Sequence, residues 1–489
     1  VSCKPTSLAT AVIMAVRQGR IIELRDDATT LSADSGHRSH LVVCEQSDSV
    51  VELIAANYAI SIDADFCLIQ GFPREESEDI QRDLADLYNL ELQDRQHRLQ
   101  LHTHRIRATL NGLALNNRAS ITFITRGVPY GIAVTEAPVT HLLYLLLGSF
   151  IPRIILAERR SPNVRAALLI DPGDFNNSET EEITRLLDHR HLQYKLLAKQ
   201  DATGINVSRA LDYYPYELAF IASHVGEIQG RRWHFHFQDR HGATHVGIMD
   251  VAASFAPLPG RQHVKVTEFR VAVSLDGVSR DSPEWKRLPS DLIKDYFLSD
   301  PPKKNIFKTE ATGPIKASTA IRVFDGAMIP VFHAIANNLA PVIFNNGCAS
   351  WVNLAERFIF GGARAYIGTF CAVNGLLAKD MAERTLRHSN SGLTIIGSLG
   401  MAQAAIFAGS EIRPYVMVGC HFTTIRMSDV RQLYFLRRYL TWAARQWSRK
   451  SISHSDQSVR KNSTEAARVT VQYLSELPPP FELRWRDLH

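Results

Sequence analysis

The chain has 489 residues, 45% of them apolar and 21% charged, which is the balance of an ordinary globular protein with sizeable cores. This composition excludes a disordered or fibrous protein. The length is sufficient for roughly one to three domains. The formal net charge of +5 is small for this length, so it requires neither a nucleic acid nor an anionic membrane as a partner.

Cysteine usage points to a reducing compartment. The six cysteines are few and far apart, at positions 3, 44, 67, 348, 371 and 420. That spacing is neither a disulfide framework nor a zinc knuckle. The first residues lack a basic leader before a long apolar run, so we expect no signal peptide and a cytoplasmic location. The most apolar stretch, 141–157, is interrupted by Pro152 and Arg153 and is short for a bilayer span. We therefore expect a buried helix followed by a strand there, and no membrane partner.

Apolar strands alternate with amphipathic helices up to about residue 160, which is the pattern of an α/β protein. A strand is predicted at 65–70, helices at about 75–90 and 94–110, and a strand–turn–strand unit at 121–134. The pattern begins again at about residue 164. It predicts a strand at 164–172, a helix at 178–190, and strands at 193–199 and 216–224.

The second half of the chain contains an interruption. Alternation broken at His241-Gly242 predicts a β-hairpin, and the charged, proline-bearing region of about 257–312 has the composition of an insertion or flexible segment. A helix follows through 328–338, and then a strand that ends at Cys348. Further helices are predicted at about 351–360, 376–387 and 398–407, with a strand at 363–370 after the first of them.

These patterns divide the chain into three regions. Residues 1–160 form an N-terminal α/β region, and residues 161–448 form the main α/β domain, with the insertion at about 257–312. Residues 449–489 are polar enough for a mobile segment followed by a C-terminal helix and tail.

Two apolar strands end in reactive residues, one at His224 and the other at Cys348. If both strands are parallel in one sheet, both side chains emerge at the edge where open α/β sheets bind ligands. The predicted helix shortly after Cys348 would stabilise a thiolate, and the Cys348 N–H could hold an oxyanion. Gly226 and Gly347 would let a substrate approach the backbone closely. A thiolate, an imidazole and an N–H pocket are the parts that acyl transfer needs.

Simpler explanations exist for each of these residues. Cysteines after apolar strands are commonly small buried hydrophobic residues, and histidines at strand ends are commonly surface polar groups. The histidines at 234, 236, 241 and 245 alternate with phenylalanines, so we expect a solvated hairpin face, with no metal and no cofactor. The basic helix at 435–450 could touch RNA or lipid, but packing of Leu436, Leu440 and Trp447 with the arginines outward explains it more simply.

The stretch from Leu339, LAPVIFNNGCASW, and the following RFIFGGARAYIGTFCAVNGLLAKDMAERTL resemble the C-terminal core of CHAT-domain proteins, relatives of caspases, separase and gingipains. The later GLTIIGSLGMAQAAI is similar to a helix of that family, and FIASHVGEIQGRRWHFHFQDRHG to its histidine motif. The resemblance covers about 164–407. Val225 departs from the glycine that the family usually has after the histidine, and Gly347 from a frequent alanine before the cysteine.

The resemblance implies a caspase-like, mostly parallel sheet flanked by helices, with His224 and Cys348 as a catalytic dyad. It also implies a CHAT-type cysteine endopeptidase that cleaves a specific protein partner in a bacterial defence or regulated cell-death system. A regulatory protein or ribonucleoprotein would release its activity. Because separase and gingipain carry a degenerate copy beside the active one, we expect residues 1–160 to be pseudo-caspase-like.

In caspase-like folds the loop after the first strand lines the pocket for the residue before the cleaved bond. Here that loop contains Asp171 and Asp174, which would favour Arg or Lys in the substrate. The alternative is that both aspartates only end the strand and cap the next helix.

Two other functions stay open. One is a catalytically silent scaffold subunit of a larger complex. The other is nucleic-acid binding through the basic helix.

Overall fold

A computed structural model describes residues 1–4, 7–25, 38–46, 49–87, 90, 92–144, 147–159, 166–173, 179–189, 192–257, 264–299, 303–315, 318–351, 353–410, 412–425 and 432–478. The strands are β1 Ser2–Cys3, β2 Glu23–Leu24, β3 His40–Glu45, β4 Asp65–Ile69, β5 Ser120–Thr125, β6 Val139–Leu143, β7 Ala167–Asp171, β8 Tyr194–Ala198, β9 Leu218–Ile221, β10 Val225–Gly226, β11 Gln229–Gln238, β12 Thr244–Pro257, β13 Val264–Leu275, β14 Val278–Ser279, β15 Ile306–Pro314, β16 Ala320–Val323, β17 Gly326–Met328, β18 Val342–Asn345, β19 Ala365–Thr369 and β20 Tyr415–Gly419.

The helices are α1 Leu8–Gln18, α2 Ser49–Ser61, α3 Arg74–Asp86, α4 Leu92–Thr109, α5 Leu147–Arg159, α6 Glu179–His189, α7 Gly204–Tyr213, α8 Ser290–Leu298, α9 Ile335–Asn338, α10 Asn353–Gly361, α11 Gly375–Asn390, α12 Ile395–Ile406, α13 Gln432–Ser453 and α14 Gln457–Glu476. No helix in this described part of the chain is both long enough and apolar enough to cross a bilayer.

One large sheet organises the molecule. Its strands lie in the order β4-β3-β5-β6-β20-β19-β18-β9-β7-β8. All neighbouring pairs are parallel except β19 and β20. The expected fold class, a caspase-like, mostly parallel α/β sheet flanked by helices, is confirmed.

The two halves of the sheet repeat one strand order. Strands β7, β8, β9, β18, β19 and β20, numbered within their own half, lie in the order 2-1-3-4-5-6, and β3 to β6 lie in the order 2-1-3-4. The halves meet where β6 pairs with β20. In such doubly wound sheets the ligand site lies at the carboxyl ends of the strands, where the winding direction changes between the first and third strands. In the C-terminal half this switch point lies between β7 and β9.

Buried strands pack on both faces of the sheet. In β18, Val342 and Phe344 join a core with residues of α6, α11 and α12, whereas Ile343 joins the core on the opposite face with residues of α7, α10 and α13. Strands β9 and β18 are buried along their whole length. This burial explains why both segments are continuous apolar runs rather than alternating ones.

The segment between β9 and β18 differs from the prediction. The described residues of the predicted insertion or flexible segment, 264–299 and 303–312, do not form an irregular segment. Instead, five strands form an antiparallel sheet in the order β14-β13-β12-β11-β15, and β10, β16 and β17 form a small sheet beside it. Tyr296 of α8 closes the core of the larger sheet, stacking on Phe235 and donating its hydroxyl to the carbonyl of Ile248 at 2.5 Å. The β-hairpin predicted around His241-Gly242 is confirmed as β11 and β12, whereas sequence reasoning missed strands β13, β14 and β15, which are charged and half exposed.

Three local predictions were wrong. Residues 141–157 form the end of strand β6 and then helix α5, the reverse of the expected order. Strand β17 and only the short α9 occupy the helix expected at 328–338. In the region from residue 449 the expected C-terminal helix is present as α14, but the mobile segment expected before it is the end of α13, and the two helices pack together as a hairpin. Residues 479–489 lie outside the described residues.

The turn before β18 has left-handed backbone angles at non-glycine residues. The φ angles of Ala336, Asn337 and Ala340 are 48°, 55° and 47°. Each such residue other than Asn costs about 1–2 kcal/mol, so the surrounding structure must hold the turn. The indole of Trp447 donates to Asn337 Oδ1 at 2.9 Å, and the hydroxyl of Tyr439 donates to the carbonyl of Asn337 at 2.7 Å. Helix α13 therefore holds the start of the strand that leads to Cys348.

A buried ionic cluster joins the two halves at the amino ends of β9, β18 and β19. Arg364 is 4% exposed and forms ion pairs with Glu158 of α5, at 2.9 Å, and with Glu217 beside β9. Its guanidinium also donates to the carbonyls of Ala340, at 2.6 Å, and Thr424, at 2.9 Å. Because one guanidinium satisfies two buried carboxylates, the three side chains depend on one another.

Candidate active site

Asp171 is the last residue of β7, and His224 and Cys348 follow the adjacent parallel strands β9 and β18. In β9 and β18, Ile221 is the register partner of Asn345, and His224 and Cys348 each lie three residues beyond these partners. The structure therefore brings both residues of the expected dyad to one edge of the sheet, beside the switch point between β7 and β9. His224 is exposed and Cys348 is half-buried.

The backbone around His224 is fixed although its side chain is exposed. The carbonyl of His224 accepts hydrogen bonds from the N–H of Arg322 at 2.9 Å and from Ser223 Oγ at 3.2 Å. Ser223 Oγ also contacts the carbonyl oxygen of Arg322 at 2.7 Å. Beyond His224, Val225 pairs with Ile321 of β16. Strand β16 thus holds the histidine segment against the large sheet.

Hydrogen bonds continue past the end of β18 into the 346–351 loop. The N–H of Asn346 donates to the carbonyl of Ile221 at 2.9 Å, which extends the pairing with β9 by one step. The hydroxyl of Thr369 donates to the carbonyl of Gly347 at 2.9 Å. The N–H of Trp351 donates to the carbonyl of Thr369 at 2.9 Å. The loop that carries Cys348 is therefore held from both neighbouring strands.

Gly347 has a different role from the one expected. Its N–H donates to Asn345 Oδ1 at 3.0 Å, so this N–H is not available to an oxyanion. A Cβ atom at Gly347 would lie 2.4 Å from Val225 Cγ2 and 2.7 Å from the carbonyl oxygen of Ser223. The glycine lets the cysteine loop pack directly against the histidine segment, rather than admitting a substrate. Gly226, by contrast, has open space where a Cβ would be.

Ala349, directly after Cys348, has a left-handed φ of 50°. Non-glycine residues in this region cost about 1–2 kcal/mol, and such strain concentrates at functional sites. Within the described part of the chain, the N–H of Cys348 itself has no hydrogen-bond partner. Helix α10 begins at Asn353, further downstream than expected, so the helix dipole acts on the thiol from a greater distance than the sequence suggested.

A second cysteine lies beside the candidate nucleophile. The carbonyl of Cys371 accepts a hydrogen bond from the N–H of Ala349 at 3.4 Å. Burial, and to a smaller degree the nearby Cys348, raise the pKa of the Cys371 thiol to about 12. Cys371 therefore stays protonated at neutral pH, and Cys348 is the thiol of the pair with access to solvent.

A buried polar cluster under the loop was missed from the sequence. The side-chain amide of Asn346 donates to Glu179 of α6 and to the carbonyl of Ala378 at 3.0 Å, and its oxygen accepts from the hydroxyl of Tyr415 at 2.5 Å. Glu179 and Tyr415 are 3% and 2% exposed. Burial, with a smaller contribution from Asp171, raises the pKa of Glu179 to about 7. In the sequence, Glu179 looked like one of several acidic residues in the first turn of a helix. Only Asn346, two residues before Cys348, could have drawn attention to the cluster.

Asp171 is half-buried at the end of β7, beside the histidine and cysteine segments. One of its carboxylate oxygens, Oδ1, accepts a hydrogen bond from the N–H of Gly173 at 2.9 Å. That bond is what a strand-ending aspartate makes, and it leaves the second oxygen for another partner. Asp174 lies outside the described residues.

Among its described residues, the N-terminal half has no cysteine–histidine pair at the corresponding edge of the sheet. Glu45 ends β3 and is 2% exposed. It accepts hydrogen bonds from the hydroxyls of Tyr130, at 2.7 Å, and Thr125, at 3.1 Å, and from the N–H of Arg126 at 2.9 Å. These side chains fill the switch point between β3 and β5. The indole of Trp351 donates to the carbonyl of Gly127 at 3.1 Å, so the filled site supports the cysteine loop.

Three of the four hairpin histidines contact other side chains, and His241 is exposed. His234 Nε2 lies 2.7 Å from Glu310, and His245 Nδ1 lies 2.7 Å from Asp276. The ring of His236 packs 4.7 Å from that of Phe307. Across the residues that the structure describes, no group of three or more His, Cys, Asp or Glu side chains could hold a metal ion.

The raised pKa of Glu179 predicts how the free energy of unfolding changes with pH. Its folded pKa of about 7 lies above its ordinary value of 4.5, so the folded protein binds a proton more tightly than the unfolded chain. Stability should therefore fall as pH rises from about 4.5 to about 7, and Glu179→Gln should remove this loss. Between these two pH values, we expect the free energy of unfolding of the variant to rise relative to that of the parent protein by up to about 3 kcal/mol.

Urea unfolding of both proteins at about pH 5 and about pH 8, on either side of the interval, measures this difference. Glu181→Gln is the matched control, since Glu181 lies in the same first turn but is exposed. If the stability difference between Glu179→Gln and the parent protein does not change with pH, the carboxyl does not titrate as described.

Comparison with known proteins does not identify a family for this chain. No protein-family model matches the chain, and no curated protein sequence is significantly similar to it.

Proposed function

We propose that this chain is a cysteine endopeptidase, with Cys348 as nucleophile and His224 as its proton-transfer partner. The observation that carries the proposal is the register of β9 and β18, which puts the two residues at matched positions on adjacent strand ends. The packing of Gly347 directly against Ser223 and Val225 supports the same pairing, because it draws the two segments together.

The chemistry follows from the groups present. The Cys348 thiolate attacks the carbonyl carbon of the scissile bond, and the resulting oxyanion accepts a hydrogen bond from the Cys348 N–H. His224 protonates the leaving amine, which gives the acyl-enzyme. Water then attacks the thioester while His224 takes a proton from it, and the thiolate leaves. The fixed 346–351 loop supports this sequence by holding the thiol in place before substrate arrives.

Asp171 supports a preference for a basic residue before the cleaved bond. Asp171 ends the strand next to that of His224, and its Oδ2, which makes no hydrogen bond among the described residues, can accept a charge-assisted hydrogen bond from Arg or Lys.

The biological setting rests on the resemblance to CHAT-domain proteins. By that resemblance we propose cytoplasmic cleavage of a specific protein partner in bacterial defence or regulated cell death. A partner protein or ribonucleoprotein would activate the enzyme. The proposed cleavage and its activation require no cofactor.

Cys348→Ala should abolish cleavage and leave the fold intact, because the half-buried thiol makes no structural hydrogen bond among the described residues. The full chain and the variant are incubated with a proteome-derived peptide library, and new termini are identified by mass spectrometry. Cys67→Ala is the control, because Cys67 is also half-buried but lies in the N-terminal half. Undiminished cleavage by a folded Cys348→Ala protein would refute the proposed nucleophile and favour a scaffold role.

His224→Ala should lower kcat by roughly two to four orders of magnitude, the usual contribution of general acid–base catalysis, while KM stays nearly constant. Steady-state kinetics on a cleaved library peptide measures both constants. His241→Ala, an exposed histidine of the β11–β12 hairpin, is the control. A raised KM with unchanged kcat would make His224 a binding residue.

Asp171→Asn should weaken the preference for Arg and Lys before the cleaved bond. We expect a loss of about 2 kcal/mol in transition-state binding, at the lower end for such pairs because Asp171 is half-buried. The cleavage-site profile of the peptide library measures the preference, with the exposed Asp201→Asn as control. A parent enzyme that prefers acidic or large apolar residues would contradict the assignment.

A further inference from the structure

Helix α13 has a one-sided charge. Its 22 residues include five cationic side chains, at 437, 438, 445, 449 and 450, and no Asp or Glu. The chain as a whole has 55 basic and 50 acidic residues, so this segment departs strongly from the average. Its field is attractive to an anionic partner.

The helix has one packed face and one exposed stripe. Leu436, Leu440, Ala443 and Ala444 are buried, and Trp447 packs beside them. The exposed stripe consists of Tyr434, Arg438, Trp442, Arg445 and Arg449, and we call it the arginine–aromatic stripe. These positions share about 80° of the helix circumference and extend over about 22 Å, from the usual rotation and rise per residue.

The side chains of the stripe are available to a ligand. Tyr434 and Trp442 are 52% and 53% exposed. Among the described residues, the guanidinium groups of Arg438, Arg445 and Arg449 make no hydrogen bond or ion pair, whereas Arg437 on the neighbouring face donates to the carbonyl of Leu477 at 3.1 Å. The ring of Trp442 lies 5.3 Å from that of Tyr439, which steadies it at the surface.

We propose that the arginine–aromatic stripe binds single-stranded nucleic acid. Unpaired arginines spaced along a helix can follow a phosphate backbone, and exposed aromatic rings between them provide surfaces on which unpaired bases stack. A duplex hides its base faces, so it would use only the charges. This site is independent of Cys348 and of the proposed protease activity.

Two other anionic partners fit less well. A membrane-surface helix inserts a broad apolar face into the lipid, but the apolar face of α13 is packed against the protein. An acidic peptide would satisfy the arginines, yet it has no flat rings to match the two exposed aromatic side chains.

The test is fluorescence anisotropy of the full chain with a labelled oligouridine or oligothymidine of about 12 nucleotides, a length within the range of single-strand sites. Replacing Arg438, Arg445 and Arg449 together by Gln should make the slope of log affinity against log salt shallower by about 2. Each phosphate contact of a single strand contributes ~0.7 to this slope, and three contacts are removed. Trp442→Ala should weaken binding about 5- to 150-fold, and Trp442→Phe should retain most of the affinity.

The matched control replaces Arg280, Lys286 and Arg287 by Gln, which removes the same charge from exposed residues beside the antiparallel sheet. Circular dichroism verifies that each variant is folded. The proposal is overturned if the parent chain does not bind the oligonucleotides, or if the control weakens binding as much as the stripe variant. Unchanged affinity in Trp442→Ala would also overturn it. Tighter binding of a polyglutamate peptide, a duplex or anionic vesicles would assign the stripe to that partner instead.

Discussion

The parallel pairing of β9 with β18 is the constraint on which the candidate site depends. Four register pairs, from Leu218 with Val342 to Ile221 with Asn345, set the two chains side by side, and the N–H of Asn346 adds one more bond. A shift of one residue would turn the buried side chains of β18 to the wrong faces of the sheet. Because both faces are packed, burial of the core fixes the relative height of His224 and Cys348. The position of the candidate dyad is thus a consequence of hydrophobic packing.

Polar contacts hold the loop that carries Cys348 in the position that hydrophobic packing of β9 and β18 sets. The cysteine loop is bound from below by the Glu179, Asn346 and Tyr415 cluster and from the side by Thr369. Burial makes these bonds costly to break, since a polar group left without a partner in the interior loses its hydration as well. The left-handed turn at Ala336 and the strained Ala349 lie on either side of β18. Strain at both ends of one short strand requires that the surrounding contacts outweigh it.

The N-terminal half supports the other half at two places. Arg364 joins Glu158 of α5 to Glu217 at one edge of the sheet, and Trp351 donates to Gly127 at the other edge. The second contact reaches a switch point that Glu45 and its partners have filled. The N-terminal half thus repeats the strand order 2-1-3-4 and has a buried polar cluster around Glu45 at this switch point. The two halves share one continuous sheet, so the C-terminal half has a stable edge along β20.

The sequence by itself determined the α/β class, the buried strands and the positions of His224 and Cys348 at strand ends, because unbroken apolar runs between helical patterns are local signals. It predicted the β11–β12 hairpin from its alternation, but not strands β13, β14 and β15, which complete the antiparallel sheet between the candidate residues His224 and Cys348. Nor did it predict the left-handed turn at Asn337, which is stable only because Trp447 and Tyr439, more than 100 positions away, hold it. Gly347 was recognised as a special position, but its role in close packing required the neighbouring Ser223 and Val225 to be seen. The tertiary structure alone decided these features, because each depends on contacts between residues far apart in the chain.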